Sequence, residues 1–253
     1  QFALSADDEV DFLNKMMVKS PKPLKSKGEK VLGKITYTIV PKQSKEINIP
    51  SNDNQKVKKL KGGKLLVTID PAPAPENFSF PYSGDDKSLL ECIEPTEYLQ
   101  SDDKKIVALA KKAVGSTKDA GKAAKKIEKF VHEYITAKNL SVGYATALEV
   151  AESKTGDCSE HAVLTAAMCR AVGIPSRVAC GLVYADGFTG RRNMFAGHAW
   201  TEAYIGGKWI GLDATRPYGA GHITLASGNG DPDAFFAMAN TFGYIDIEKV
   251  EQF

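Results

Sequence analysis

The sequence predicts an α+β protein, and three observations carry that expectation. Runs of β-branched and aromatic residues dominate the chain up to Ile69, and apolar residues at helical spacing take over near Tyr98. Two apolar strands joined by Gly206-Gly207 then follow a buried helix in the C-terminal half.

Taken in order, Asp7 to Val18 is expected to form a short helix, led by acidic residues and ended by Ser20-Pro21-Lys22-Pro23. Val31 to Val40, Ile47 to Ile49 and Leu65 to Ile69 are strand candidates, separated by polar turns such as Ser51-Asn52-Asp53-Asn54 and Gly62-Gly63. Pro71-Ala72-Pro73-Ala74-Pro75 breaks any regular element. Residues 1–90 therefore read as a small β-rich module with a short leading helix, and residues 91–253 as a second unit. Helices are expected from Ser101 through Lys112, from Asp119 to Ile135 and from Ala145 to Ala151, with a loop over Asn139 to Tyr144.

Composition excludes several classes. An apolar fraction of 43% and a charged fraction of 25% are ordinary globular values. A net charge of +2 gives no reason to expect a nucleic-acid partner, and no apolar run is long enough to span a membrane. Twelve lysines lie between Lys22 and Lys64, against Glu29, Glu46 and Asp53. With no aromatic residues interleaved as in nucleic-acid binding, they are read as charges that blunt sheet edges rather than as an anion-binding surface. The chain opens on Gln1, which suggests that an upstream segment was removed and leaves a secreted, periplasmic or envelope location open. Of the four cysteines, Cys169 and Cys180 fit buried free thiols, and the redox compartment stays open.

The informative segment is Thr155-Gly156-Asp157-Cys158-Ser159-Glu160-His161, followed by an Ala- and Leu-rich run that Gly173 and Pro175 stop. Cys158 thus opens a buried helix, where unpaired N–H groups and the positive dipole end favour a thiolate. The charges of Asp157 and Glu160 work against that thiolate. A cysteine on an apolar helix is more often a core residue, but two later features shift the balance. Gly197-His198-Ala199-Trp200 is expected to open a strand at the histidine, and Trp209 to Thr215, containing Asp213, is the next strand. The hairpin can set His198 beside Asp213, although sequence separation does not fix the register. A thiol needs an imidazole to take its proton, and the imidazole needs a carboxylate to fix its tautomer.

These motifs together resemble the transglutaminase-like superfamily: Gly-Asp-Cys, the Arg-Ala-x-Gly-Ile-Pro-x-Arg run from Arg170 to Arg177, His-Ala-Trp-x-Glu and Trp-x-x-x-Asp-Ala-Thr. The resemblance covers roughly residues 98–225 and implies a papain-like core with its nucleophile at a helix start on an antiparallel sheet. It also implies a catalytic Cys158, His198 and Asp213 triad, no cofactor or metal, and a protein or peptide substrate. Papain-type proteases share the order, but their histidine lies more than about a hundred residues downstream; here it is 40 residues on (198 − 158). The Gly-Asp-Cys segment and Gly221-His222-Ile223-Thr224-Leu225 are similar to a bacterial subgroup. Nothing resembles the calcium loops of the animal cross-linking enzymes, and Asp231 with Asp233 alone offers too few oxygens for calcium.

The expected function is acyl transfer through a thioester, with hydrolysis favoured because many bacterial members of the family are protease-like. Transfer to an amine, and a non-catalytic module binding peptides or envelope polymers, are the alternatives. His161 is expected to make a structural hydrogen bond. His222 is read either as lining the cleft or as a surface residue. A metal reading of Cys158-x-x-His161 lacks a second ligand pair.

Overall fold

The computed structural model describes residues 17–43, 46–137, 145–188, 190–231 and 241–253, with the Phe188 side chain left aside. The expected helix over Asp7–Val18 lies almost wholly outside the described residues, and Val18 itself opens a strand. The expected loop over 139–144 also lies outside them.

Eleven strands and five α-helices make up the described fold. In the first third, β1 (Val18–Lys19), β2 (Ser26–Lys27), β3 (Lys30–Val31), β4 (Ile35–Pro41), β5 (Gln55–Lys59) and β6 (Leu65–Ile69) appear. The helices are α1 (Lys87–Glu91), α2 (Lys104–Val114), α3 (Ala120–Tyr134), α4 (Ala147–Ser153) and α5 (Cys158–Ala171). The remaining strands are β7 (Ser176–Phe188), β8 (Arg191–Ile205), β9 (Lys208–Leu212), β10 (His222–Gly228) and β11 (Ile245–Gln252).

Local signals explain the helix starts. Asp103, Asp119 and Thr146 cap α2, α3 and α4 by accepting backbone N–H groups that have no partner within the helix. β6 falls where the sequence places it, but the expected strand from Val31 to Val40 divides in two. Val31 pairs back into the β2–β3 hairpin, and Ile35 onward pairs with β6. The segment Ile47 to Ile49 buries both isoleucines without joining a ladder.

Two antiparallel sheets result. In one, β4 and β6 face Ile35 with Ile69, Tyr37 with Val67 and Ile39 with Leu65, all buried. At about 1.5–3 kcal/mol for each large apolar side chain removed from water, this face is the main local driving force. β5, with Lys56, Lys58 and Lys59, is an edge of this sheet; the opposite edge is β11, contributed by the end of the chain.

The other sheet runs β1, β8, β7, β10, with β9 also on β8. Here the first and last thirds of the sequence interlock. Val18 pairs with Phe195, and the Tyr37 ring meets Phe195 edge-on at 5.6 Å. The Gln55 side-chain amide spans both backbone groups of Thr224 at 2.9 Å each, pairing like one residue of a further strand along the outer edge of β10. Asn54 donates to the Trp209 carbonyl at 2.8 Å and Asn52 to Glu202 at 3.1 Å. α5 lies on this sheet, fastened by Thr201 Oγ1 donating to the Ala162 carbonyl at 2.8 Å.

Candidate active site

The start of α5 is built by its own sequence. Asp157 Oδ1 accepts from Ser159 N at 2.9 Å, and Glu160 Oε2 accepts from Asp157 N at 2.9 Å, a reciprocal capping box. Glu160 folds back so closely that a Cβ on Gly156 would sit 2.2 Å from its own Cβ. Burial, then the neighbouring Asp157, push the Glu160 carboxyl up to about 7. Its charge is therefore partly suppressed near neutrality, which eases the conflict between acidic neighbours and a thiolate at Cys158. His161 Nδ1 lies 2.5 Å from the Asp157 carbonyl oxygen, the structural bond expected of it.

His198 comes from the middle of β8, not its first residue. The strand begins at Arg191, because β7 pairs with it along nearly its whole length. β9 ends at Leu212, so Asp213 stands just past the strand rather than within it. The register settles what the sequence left open. Ile205 pairs with Lys208 and Thr201 with Leu212. Continued by one residue, that register sets Asp213 opposite Trp200, on the face that also carries His198.

The three sequence-predicted residues meet. His198 Nε2 lies 2.7 Å from Asp213 Oδ2, and the half-buried Cys158 thiol is near enough to the same imidazole to favour its protonated form. With Nε2 committed to Asp213, Nδ1 is the nitrogen left for sulfur. Burial by itself lowers the tendency of His198 to hold a proton. The Asp213 charge and hydrogen bond, with Cys158, outweigh it and raise the imidazole to about 10. Asp213 is buried too, yet the two histidines keep it well below the usual carboxylate range. By contrast, burial pushes the Cys169 and Cys180 thiols up to about 12, and all four cysteines are free.

Asp213 is more crowded than the motif reading anticipates. Its Oδ1 accepts from Thr215 N (2.9 Å), Thr215 Oγ1 (2.6 Å) and Arg216 N (3.2 Å). Its Oδ2 accepts from His222 Nε2 at 2.9 Å as well as from His198. Glu128 on α3 fixes the backbone by accepting from Asp213 N at 2.8 Å. His222 is only 3% exposed, so it is not a surface residue. A signal for it did exist: in the sequence Gly221-His222 leads an apolar run just as Gly197-His198 does. Glu128 had no such signal, since its role depends on how α3 packs.

By residue type, His198, Asp213 and His222 could hold a metal, their ligand atoms lying within 4.8 Å of one another. The separations of 2.7 and 2.9 Å are hydrogen-bond lengths, below the ~3.3 Å that two tetrahedral zinc ligands keep. The group is a proton-bonded network.

The remaining motif residues are supports. Arg177 reaches the fully buried Glu202 through two nitrogens at 2.8 and 2.7 Å, and its guanidinium lies 4.1 Å above the Trp209 ring. Trp200 stacks on His198 at 6.2 Å and meets His222 edge-on at 5.2 Å.

A helix-borne thiol facing an imidazole and carboxylate from an antiparallel sheet is the arrangement of a papain-like α+β core. Residues 107–214 match the model of the transglutaminase-like superfamily, which is the segment that carries Cys158, His198 and Asp213. Among solved structures, it is similar to a candidate cysteine protease from Cytophaga hutchinsonii. That match has a TM-score of 0.55 and 20% identity, covering 88% of this chain and 84% of that one. A second similarity is to the periplasmic domain of TgpA from Pseudomonas aeruginosa bound to ethylmercury. There the TM-score is 0.47 and the identity 16%, covering 81% of this chain and 93% of that one. No curated protein matches the sequence. Among the described residues no helix is long and apolar enough to cross a membrane.

Proposed function

We propose that the chain is a thiol-dependent enzyme that opens peptide or amide bonds through a thioester, with Cys158 as nucleophile, His198 as its proton partner and Asp213 as the orienting carboxylate. The observation that carries this reading is the buried contact of His198 with Asp213 on one side and Cys158 on the other. A raised imidazole beside a thiol favours the pair in which the proton has already moved to nitrogen. His198 then starts as an imidazolium, so its first act is as an acid rather than a base.

The steps follow from that starting state. The Cys158 thiolate attacks the amide carbonyl, and the Cys158 backbone N–H, at the helix position that has no intrahelical acceptor, is available to the developing oxyanion. His198 gives its proton to the departing amine, leaving a thioester and a neutral imidazole. Neutral His198 then takes a proton from water, the hydroxide attacks the thioester, and the C–S bond breaks to release the carboxylic acid, which leaves the expelled Cys158 thiolate beside the protonated His198 as at the start. Water is the proposed acceptor because it is always present, whereas an amine needs a binding site of its own. The name of the Cytophaga neighbour accords with that choice.

The test is turnover of a peptide library, scored for new amino termini, together with incorporation of a labelled primary amine. Cys158→Ser and His198→Ala should abolish turnover, while Cys169→Ser and Cys180→Ser should retain it. Full activity in a well-folded Cys158→Ser variant would overturn the thiol mechanism. Amine incorporation outpacing hydrolysis would transfer the reading to the transglutaminase outcome.

A further inference from the structure

His222 is a buried group for which the proposed mechanism has no use. It stands at the start of β10, which pairs with β7 and so lies two strands from His198. His198 is opposite Gly181 and His222 opposite Val183, so both rings project from the same face of the sheet. Both end on the same oxygen, Asp213 Oδ2.

The tautomer of His222 follows from its neighbours. The Gly219 carbonyl already accepts from His222 N at 3.1 Å. His222 Nδ1 lies 3.3 Å from Gly219 N and 3.2 Å from the Gly219 carbonyl oxygen, but the Asp213 carboxylate at 2.9 Å from Nε2 can only accept, so the proton of the neutral ring sits on Nε2 and Nδ1 accepts from Gly219 N. Burial first, and His198 and Arg216 after it, lower the tendency of His222 to take a second proton, and the Asp213 hydrogen bond opposes them. From β8 it faces His198 and Trp200, and from the loop before β10 it faces Asp213, Arg216 and Tyr218, whose ring centre is 4.6 Å away. A neutral ring held this way has one donor to offer, and it is spent on the carboxylate.

We propose that His222 is a positioning residue, which anchors Asp213 Oδ2 and, by sharing that oxygen, limits how strongly Asp213 holds the proton on His198. The reasoning is electrostatic. A carboxylate oxygen with two donors stabilises each less than it would stabilise one alone. Without the His222 N–H, Asp213 grips the imidazolium harder, and the proton that must pass to the leaving amine is given up less readily. The same donor fixes the carboxylate in the plane that His198 needs. The chain of support extends outward: Ala220, next to the His222 loop, donates to the Val31 carbonyl at 3.2 Å and accepts from the Tyr37 hydroxyl at 2.8 Å. The first third of the sequence therefore braces this loop.

The proposal rests on the assignment of Cys158, His198 and Asp213 made above, so the experiment separates the two. In the full chain labelled at histidine, the ring signals are titrated by NMR in wild type, His222→Phe and His222→Gln, with His198→Ala for assignment. Gln places an amide N–H where Nε2 stood and should restore wild-type behaviour. His222→Asn, too short to reach Asp213, replaces the Phe variant if that one fails to fold. The expected result is that the His198 titration rises by about one pH unit in Phe or Asn and returns in Gln. Turnover should fall on the order of tenfold and recover in parallel. An unmoved His198 titration in a folded Phe or Asn variant overturns the role of His222. Alkylation of Cys158 by iodoacetamide at pH 7 in wild type and His198→Ala tests the parent reading. Equal rates there would overturn the triad itself, whatever His222 does.

Discussion

Replacing Asp213 by Asn is the most informative perturbation, because the structure dictates which way the amide must turn. The Oδ1 position faces the backbone N–H groups of Thr215 and Arg216, which can only donate. The Oδ2 position faces two imidazoles, which can exchange tautomers. The introduced amide would therefore keep its oxygen toward the backbone and turn its NH2 toward His198. His198 Nε2 then becomes an acceptor, and its proton moves to Nδ1, the nitrogen facing Cys158. The imidazole can no longer take the thiol proton, and burial, opposed now by Cys158 alone, moves it from about 10 back toward its ordinary value of 6.5. At 1.36 kcal/mol per pH unit that is about 5 kcal/mol of imidazolium stabilisation. Relaxation and water entry recover part of it, so a loss of about 10³–10⁴-fold in kcat/KM is expected. The assay is alkylation of the Cys158 peptide by iodoacetamide as a function of pH, read by mass spectrometry, with melting followed in parallel. Wild type should alkylate faster than Asp213→Asn at pH 6, and the gap should close as the pH approaches the ~8.5 of an isolated thiol. A folded variant that alkylates at the wild-type rate at pH 6 would refute the reasoning.

Three further outcomes follow from the same packing. Glu160 is fully buried with its carboxyl raised from 4.5 to about 7, so the folded state keeps a proton that the unfolded chain loses in that window. Stability should therefore fall as pH rises from 4.5 to 7, and Glu160→Gln should gain about 2–3 kcal/mol on wild type between pH 4.5 and 8; melting curves that stay parallel across this range would refute it. Gly156→Ala forces a Cβ into the Glu160 side chain at 2.2 Å and should cost about 1–3 kcal/mol in urea unfolding, without changing the m-value. Tyr37→Phe leaves the buried Ala220 carbonyl without its 2.8 Å donor. It should cost about 1–3 kcal/mol and lower turnover through the His222 loop, so a variant with wild-type melting and turnover would show that the brace is dispensable.

Elements whose physics is local were legible in the residues alone. A cap reaches three residues, so Asp157 to Glu160 announces the start of α5, and Gly173-Ile174-Pro175 announces its end. Asp119 before Ala120 does the same for α3, and the alternation of Leu65 to Ile69 makes a strand with one buried face. The residue types of a thiol, an imidazole and a carboxylate could likewise be named from motifs. Partners distant in the chain are another matter, because folding in three dimensions selects them. β5, the polar run Gln-Lys-Val-Lys-Lys, is a strand because β6 offers it a ladder. β11 closes the first sheet from the far end of the chain, and β8 starts well before His198 because β7 is there to pair with it. The meeting of His198 with Asp213 depends on the register across Gly206-Gly207, where a slip of one residue would turn Asp213 to the opposite face. The second histidine on Asp213 depends on β10 crossing back beside β7. Caps and periodicities are short-range and written in adjacent residues, whereas sheet order and register are chosen by which distant apolar faces bury together.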